Sequence, residues 1–280
     1  MKSYRHKWAL VLSGGGARGF AHIGILTSLE EAGFPKPSLV VGTSMGAIVG
    51  GLYACGMTPH EMEDFVLNKF NITDYIDGAI SKIHGPVGKV IQTGQALANL
   101  ATRPGADTGH RALEFLEKLT RGKTFAQTEI PFRCNAVDLY SGREVVFDSG
   151  LVAKAVRASM SLPLFFEPVM EAGMCLVDGG LADNMPVTIA RNEGFKRVLA
   201  VDVNSFTGLS PGALKTGPQV VYRSIECALL AQNNEKKKKA SVTLDIRADA
   251  TLFSFFKQKE LIRLGEKAVA DNMEALEKFF

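Results

Sequence analysis

Two glycine-rich turns, each set between a short apolar run and a helical pattern, constrain this chain more than anything else in it. The first, Gly14-Gly15-Gly16-Ala17-Arg18-Gly19, follows the apolar residues 8–12; the second, Gly42-Thr43-Ser44-Met45-Gly46, follows residues 39–41. A run that is apolar at every residue, rather than at alternate ones, reads as a strand buried on both faces, as in parallel sheets covered by helices. Helical patterns at 20–32 and 45–54 follow the two turns. Strand, tight turn and helix, repeated, make βαβ units, so the expected fold is α/β with a mostly parallel central sheet.

The rest of the chain continues the pattern. Thr58, followed by Pro59 and Glu61, starts a helix that runs to residue 69. Residues 71–125 differ: helical spacing at 113–119 is interrupted at His84-Gly85-Pro86 and Arg103-Pro104-Gly105. Such an insert is either a lid or substrate-channel wall, or a plain helical cover for the sheet. A hairpin is expected from 131–139 and 144–147, then a helix at 151–159 and strands at 174–177 and 197–203 separated by a helix near 187–193. A helix near 219–233, a strand near 242–246 and an amphipathic helix from about 260 complete the chain. With no repeat and no linker, residues 1–280 read as one domain.

Composition removes several classes. A chain that is 46% hydrophobic and 22% charged is globular rather than disordered. With 32 basic and 29 acidic residues the net charge of +3 gives no basis for a nucleic-acid partner. Cys55, Cys134, Cys175 and Cys227 are widely spaced, which fits neither a disulfide scaffold nor a zinc site and points to reduced thiols in the cytoplasm. The apolar run at 8–12 is too short for a signal peptide, whose core needs about 7–15 residues. Residues 38–59 carry no charge, but Gly42, Gly46, Gly50, Gly51 and Gly56 divide them into strand, turn and helix rather than a membrane span.

The chemistry concentrates in the turns. Gly42-Thr43-Ser44-Met45-Gly46 fits G-x-S-x-G, the elbow that exposes a serine hydroxyl at a helix N-terminus. About 0.15 chance matches are expected at this composition, so the strand before it and the helix after it carry much of the weight. The first turn also satisfies G-x-G-x-x-G, but the second strand ends without the acid a dinucleotide ribose requires. Its glycine amides are then free to bind a developing oxyanion. A serine nucleophile needs a base. His6, His22, His60, His84 and His110 all lie at or before residue 110, so the order serine, acid, late histidine cannot occur. Asp178 closes the apolar run 174–177 and precedes Gly179-Gly180, where α/β sheets place functional groups. An ordinary aspartate, with a pKa near ~3.9, is a weak base, so the pairing requires a dry, apolar cleft.

Taken together, the glycine loop, the elbow and Asp178-Gly179-Gly180 resemble, in order, the three signature blocks of the patatin-like phospholipase family. The segment Arg157-Ala158-Ser159-Met160-Ser161-Leu162-Pro163 resembles that family's alanine-serine-proline block. The resemblance spans about residues 7–205, and 206–280 match no assignable pattern. It implies a three-layer α/β/α fold and calcium-independent hydrolysis of lipid acyl esters, with no metal and no cofactor. By position, Ser44 is the nucleophile, Asp178 the base, and the amides of Gly14, Gly15 and Gly16 the oxyanion hole. Arg18, Gly19, Gly42, Gly46, Gly179 and Gly180 support the motifs. The implied substrate is a phospholipid or lysophospholipid ester, with peripheral contact to a membrane surface as a corollary. Oligomeric state has no signature here. An acyltransferase sharing the acyl-enzyme, and a non-catalytic scaffold on the same fold, remain the alternatives.

Other motifs compete less well. Gly122-Lys123-Thr124 lacks the upstream glycine of a phosphate loop, Glu117 standing in its place, and His60-Glu61 lacks a second histidine at Asp64. The Lys236–Lys239 run reads as a lipid-headgroup contact or a solvated helix end. Leu252-Phe253-Ser254-Phe255-Phe256 reads as a lipid-facing patch or as core.

Overall fold

The wholly apolar runs become the inner strands of an eight-stranded sheet. The computed structural model describes residues 7–76, 104–205 and 208–280. Its strands are β1 (Ala9–Leu12), β2 (Leu39–Gly42), β3 (Gly105–Asp107), β4 (Phe132–Asp138), β5 (Arg143–Phe147), β6 (Leu164–Phe166), β7 (Val169–Glu171), β8 (Met174–Asp178), β9 (Val198–Ser205) and β10 (Val242–Arg247). Helices are α1 (Ala21–Glu31), α2 (Met45–Ala54), α3 (Pro59–Asn68), α4 (His110–Leu119), α5 (Val152–Ser159), α6 (Gly180–Asp183), α7 (Val187–Asn192), α8 (Gly217–Lys237), α9 (Gln258–Asp271) and α10 (Met273–Phe279). The order across the sheet is β10-β9-β1-β2-β4-β8-β7, with β5 also on β4. The first five are mutually parallel, and β5, β7 and β8 join antiparallel.

Alternation along β1 separates the two faces of the sheet. Leu10 and Leu12 join Leu199, Val201 and Leu244 in one apolar cluster with residues of α1, α2 and α9. Ala9 and Val11 join Val41, Val198 and Ala200 in the other, against Val187, Ile189 and Ala190 of α7. A strand covered on both sides cannot alternate apolar with polar, hence the continuous runs.

The last 75 residues, unassignable by pattern, complete this architecture. β10 extends the sheet beside β9, and α9 lies against α1. A Cβ on Gly24 would stand 2.0 Å from the Ile262 carbonyl, and one on Gly265 2.0 Å from the Ala21 carbonyl. Only glycine at both positions lets the two backbones approach this closely. β3 and β6 form a separate parallel pair that the sequence pattern does not announce, each strand being three residues long. Of the insert at 71–125, residues 77–103 with His84 lie outside the described residues.

Among the described residues no helix is long and apolar enough to cross a membrane. The uncharged stretch 38–59 divides into β2, the Thr43-Ser44 turn and α2, with Thr58 and Glu61 forming a reciprocal cap on α3. The lysine run splits between uses. Lys236 pairs with the buried Asp183, and Lys237 lies 2.8 Å from the fully buried Asp202, while Lys238 pairs with exposed Glu235. Two of its four charges are therefore structural counter-ions rather than free surface charge.

Candidate active site

One edge of β4 brings the site together. β5 occupies one side of β4 over Cys134–Asp138, so β2 and β8 must share the other. They meet there end to end: β2 arrives parallel and ends with Gly42 opposite Cys134, while β8 arrives antiparallel and ends with Asp178 opposite Ala136. Two residues of strand, about 7 Å, separate those registers. Gly42 and Asp178, 136 positions apart in the chain, thus end near one point.

At the end of β2 the chain turns sharply. Ser44 has φ 53° and ψ −120°, a conformation that costs a non-glycine residue on the order of 1–3 kcal/mol. The turn is tight enough that a Cβ on Gly42 would stand 2.3 Å from the Gly46 carbonyl, and one on Gly46 2.2 Å from that of Leu12. Thr43 hydroxyl contacts Asn135 Oδ1 at 2.8 Å, and the Ser44 N–H donates to Ser159 Oγ at 2.9 Å. Ser44 therefore stands at the N-terminus of α2, where the field of the helix favours developing negative charge.

Asp178 is 5% exposed. Its N–H donates to the Ser161 carbonyl at 3.0 Å, and its Oδ1 accepts from the Gly180 N–H at 2.8 Å. Ser44 lines the same cleft, and its hydroxyl is among the groups that favour the charged form of Asp178. Burial disfavours the charged form more than Ser44 and the Gly180 N–H favour it, and the Asp178 pKa rises from 3.8 to about 6. Asp183 is likewise raised to about 6 by burial, but its partner is Lys236 and it does not line the cleft. A carboxyl group raised this far in the same cleft as a serine hydroxyl is poised to act as a base near neutral pH.

Each motif has a physical task here. Ser159 touches both halves, its hydroxyl on Ser44 and its carbonyl accepting from Gly179 at 3.4 Å. Arg157, buried in the same block, donates to the carbonyls of Thr108, Gly109 and Glu167 and so braces the loop. A Cβ on Gly180 would crowd Asn184 Oδ1 at 2.9 Å and Asp178 Oδ1 at 3.0 Å. Gly19 is crowded by Met45, whose Cγ would lie 2.2 Å from an added Cβ. In the glycine loop the three amides are not equivalent. Gly14 N–H already donates to the Asn184 carbonyl at 3.1 Å, whereas Gly15 and Gly16 line the cleft with Ser44 and Asp178. That leaves two loop amides, not three, available to an oxyanion. Arg18 is buried, its Nε donating to the Gly15 carbonyl at 3.3 Å and its Nη2 lying 2.9 Å from Glu226 of α8.

The described histidines, His22, His60 and His110, do not line the cleft. His60 and His110 are exposed beside Glu31 and Glu114. His22 is fully buried, and its Nε2 lies 2.9 Å from the Ser13 carbonyl just before the glycine loop. Burial pushes it down to about 4, so it is neutral and supports that turn. Lys123 reaches the Cys55 carbonyl at 2.7 Å, a loop tie rather than a phosphate contact.

The cleft above Ser44 and Asp178 is walled largely by apolar side chains. It shares Met45, Ile48, Met160, Phe165, Phe166 and Phe255 with a second apolar cavity. Within 252–256, Leu252 and Ser254 are buried, Phe253 and Phe255 wall the cleft, and Phe256 is exposed.

A serine on a strand-to-helix elbow thus stands near a buried carboxyl group in an α/β fold with a mostly parallel central sheet. The family model for patatin-like phospholipases matches residues 10–191. The chain belongs to the patatin-like phospholipase family. Similar proteins include lysophospholipase NTE1 of Kluyveromyces lactis, 36% identical over 202 residues covering 72% of this chain and 13% of that protein. The same-named protein of Saccharomyces cerevisiae is 34% identical over 209 residues, covering 72% of this chain and 11% of its own. The chain thus spans about an eighth or less of the length of these two relatives. The crystal structure of VipD from Legionella pneumophila shares the fold, with a TM-score of 0.58 at 16% identity over 96% of this chain and 67% of that one.

Proposed function

We propose that this chain is a serine acyl hydrolase that cleaves carboxylic esters of lipids, with phospholipid or lysophospholipid acyl chains as substrates. The observation that carries this reading is that Ser44, on its strained elbow, and the buried Asp178 carboxyl group line one apolar cleft. Ser44 Oγ attacks the ester carbonyl as Asp178 takes its proton, and the carbonyl oxygen becomes an oxyanion facing the Gly15 and Gly16 amides. Collapse breaks the bond to the alcohol, which leaves with the proton from Asp178. The same carboxylate then deprotonates a water that attacks the acyl-enzyme, and Ser44 is restored. The fold is read as one unit over residues 1–280, working in a reducing compartment that suits four free thiols. Contact with a lipid surface fits α8, whose Ile225 and Leu229 line the cleft while Val220 and Val221, one turn earlier, are exposed.

The test is covalent labelling with a fluorophosphonate, followed by peptide mapping and repeated across pH. A single adduct on Ser44 is expected, with a rate that rises through about pH 6 and is flat above it. The sign follows from the base: only ionised Asp178 accepts the proton, and one unit below its pKa roughly a tenth is ionised. A limb near 4 would mean a solvated carboxyl group, and absence of labelling on folded protein would overturn the reading.

The second cavity gives the acyl chain a place to lie. Ala112 lies on its wall and is itself buried. Ala112→Phe should remove room for about two methylene groups, at roughly 0.8 kcal/mol each, and lower kcat/KM for long-chain esters about tenfold. Short-chain esters should be unaffected. A p-nitrophenyl ester series measures this, and an unchanged chain-length profile would place the acyl group elsewhere.

A further inference from the structure

Gly14, Gly15 and Gly16 have no side chains with which to fix their own peptide planes, yet an oxyanion donor must point in one direction. In a trans peptide the carbonyl of one residue and the N–H of the next lie in one plane and point opposite ways. Whatever holds the Gly14 carbonyl therefore aims the Gly15 N–H. That group is Asn204, at the end of β9, whose Nδ2 donates to the Gly14 carbonyl. Asn204 is itself buried and lies under the loop: a Cβ on Gly15 would stand 3.3 Å from its Oδ1. Its Nδ2 lies 3.3 Å from Ser13 Oγ, and its backbone N–H donates at 2.9 Å to Asp202 Oδ1. Asp202 is fixed in turn by Asn233 of α8, whose Nδ2 donates at 2.7 Å, and by Lys237. With the Gly14 N–H on the Asn184 carbonyl, both ends of Gly14 are tied, and the Gly15 N–H has no partner among the described residues.

We infer that Asn204 is a positioning residue for the oxyanion hole, holding the Gly14–Gly15 peptide so that the Gly15 N–H faces the carbonyl oxygen of a substrate bound at Ser44. The inference rests on the acyl-hydrolase reading above. Asn204 touches no substrate, since it lies behind the loop and not among the residues lining the cleft. Without its amide the peptide plane can rotate. Losing one oxyanion donor outright costs about 10²–10³ in kcat, and a misplacement of about 1 Å costs up to about 10².

The experiment compares wild-type protein with Asn204→Ala and with Asn204→Leu, which keeps the volume but not the donor. Each is tested with an ester substrate and with a trifluoromethyl ketone of the same acyl chain. The ketone forms a bond between its carbonyl carbon and Ser44 Oγ, the serine proton passes to Asp178, and the ketone oxygen becomes an oxyanion. In at least one variant with a cooperative melt, kcat should fall about ten- to a hundredfold with KM nearly unchanged. The Ki of the ketone should rise by the same factor, and the ¹⁹F-monitored pKa of the hemiketal hydroxyl should move up. Free fatty acid, which carries no oxyanion at that position, should bind as before. The inference is overturned if a folded variant keeps kcat and the ketone Ki within about twofold, if the loss falls on KM instead, or if neither variant folds. Wild-type protein that neither hydrolyses esters nor labels at Ser44 would instead overturn the hydrolase reading, a result visible before any variant is made.

Discussion

Ser44→Ala and Asp178→Asn should each fold cooperatively and each lose at least about a thousandfold in ester turnover. On the proposed mechanism the serine variant lacks the oxygen that would carry the acyl group. The asparagine variant keeps the shape and can still accept from the Gly180 N–H, but it cannot take a proton from Ser44 at neutral pH. Stability separates lost chemistry from lost structure, and the linkage has a definite sign. The Asp178 pKa is raised from 3.8 to about 6, so folding is penalised for ionising it, with the penalty absent below about pH 4 and complete above about pH 6. At pH 8 Asp178→Asn should therefore be more stable than wild type by about 1–3 kcal/mol, and near pH 4 the two should melt together. Thermal unfolding at the two pH values, beside kcat/KM, checks both halves. A folded Asp178→Asn protein with most of its turnover would exclude Asp178 as the base.

That expectation was open to sequence reasoning because both groups sit in local motifs. Ser44 is marked by the glycines two residues either side, which the elbow needs sterically, and Asp178 by the strand that buries it and the glycine that lets an amide approach. The central strands were equally legible, because burial on both faces leaves an uninterrupted apolar run. What joins Ser44 to Asp178 was not legible. Their meeting depends on β2 and β8 sharing one edge of β4, a pairing set by registers at Cys134 and Ala136 that no local pattern encodes. The glycine loop shows the same boundary. Its sequence advertises three bare amides, but which are available depends on the Asn184 carbonyl, 170 positions from Gly14. Asn204 and Asp202 look like ordinary polar residues at a strand end until the loop is seen lying on them. Lys236 and Lys237 could not be told from their neighbours in the run, since their partners Asp183 and Asp202 come from other elements.

Removing residues 206–280 should leave a chain that does not fold, although the family match ends at residue 191. The deletion strips the sheet of β10 and α1 of the helix its glycines admit. It also strands charge. Arg18, 1% exposed, loses Glu226, and Asp202, fully buried, loses both Lys237 and Asn233. Breaking a buried pair by removing one partner costs about 3–5 kcal/mol, so two such losses approach the whole stability of a domain, about 5–15 kcal/mol. The glycine loop loses a support as well, because Ala17 N–H donates to the Leu252 carbonyl at 2.8 Å. Trp8, the one tryptophan, reports on this directly: its ring packs edge-on against Phe279 and Phe280, with centroids 5.9 and 4.9 Å away. In the full chain its fluorescence should shift to the red in one cooperative transition, together with the loss of circular dichroism. In the truncated chain it should be red-shifted from the start, with no transition. Cooperative melting of residues 1–205 would make the C-terminal segment an accessory, and the paired charges at Arg18 and Asp202 dispensable. The expected result would make that segment part of the catalytic fold, since the groups it neutralises lie directly behind the loop that faces Ser44.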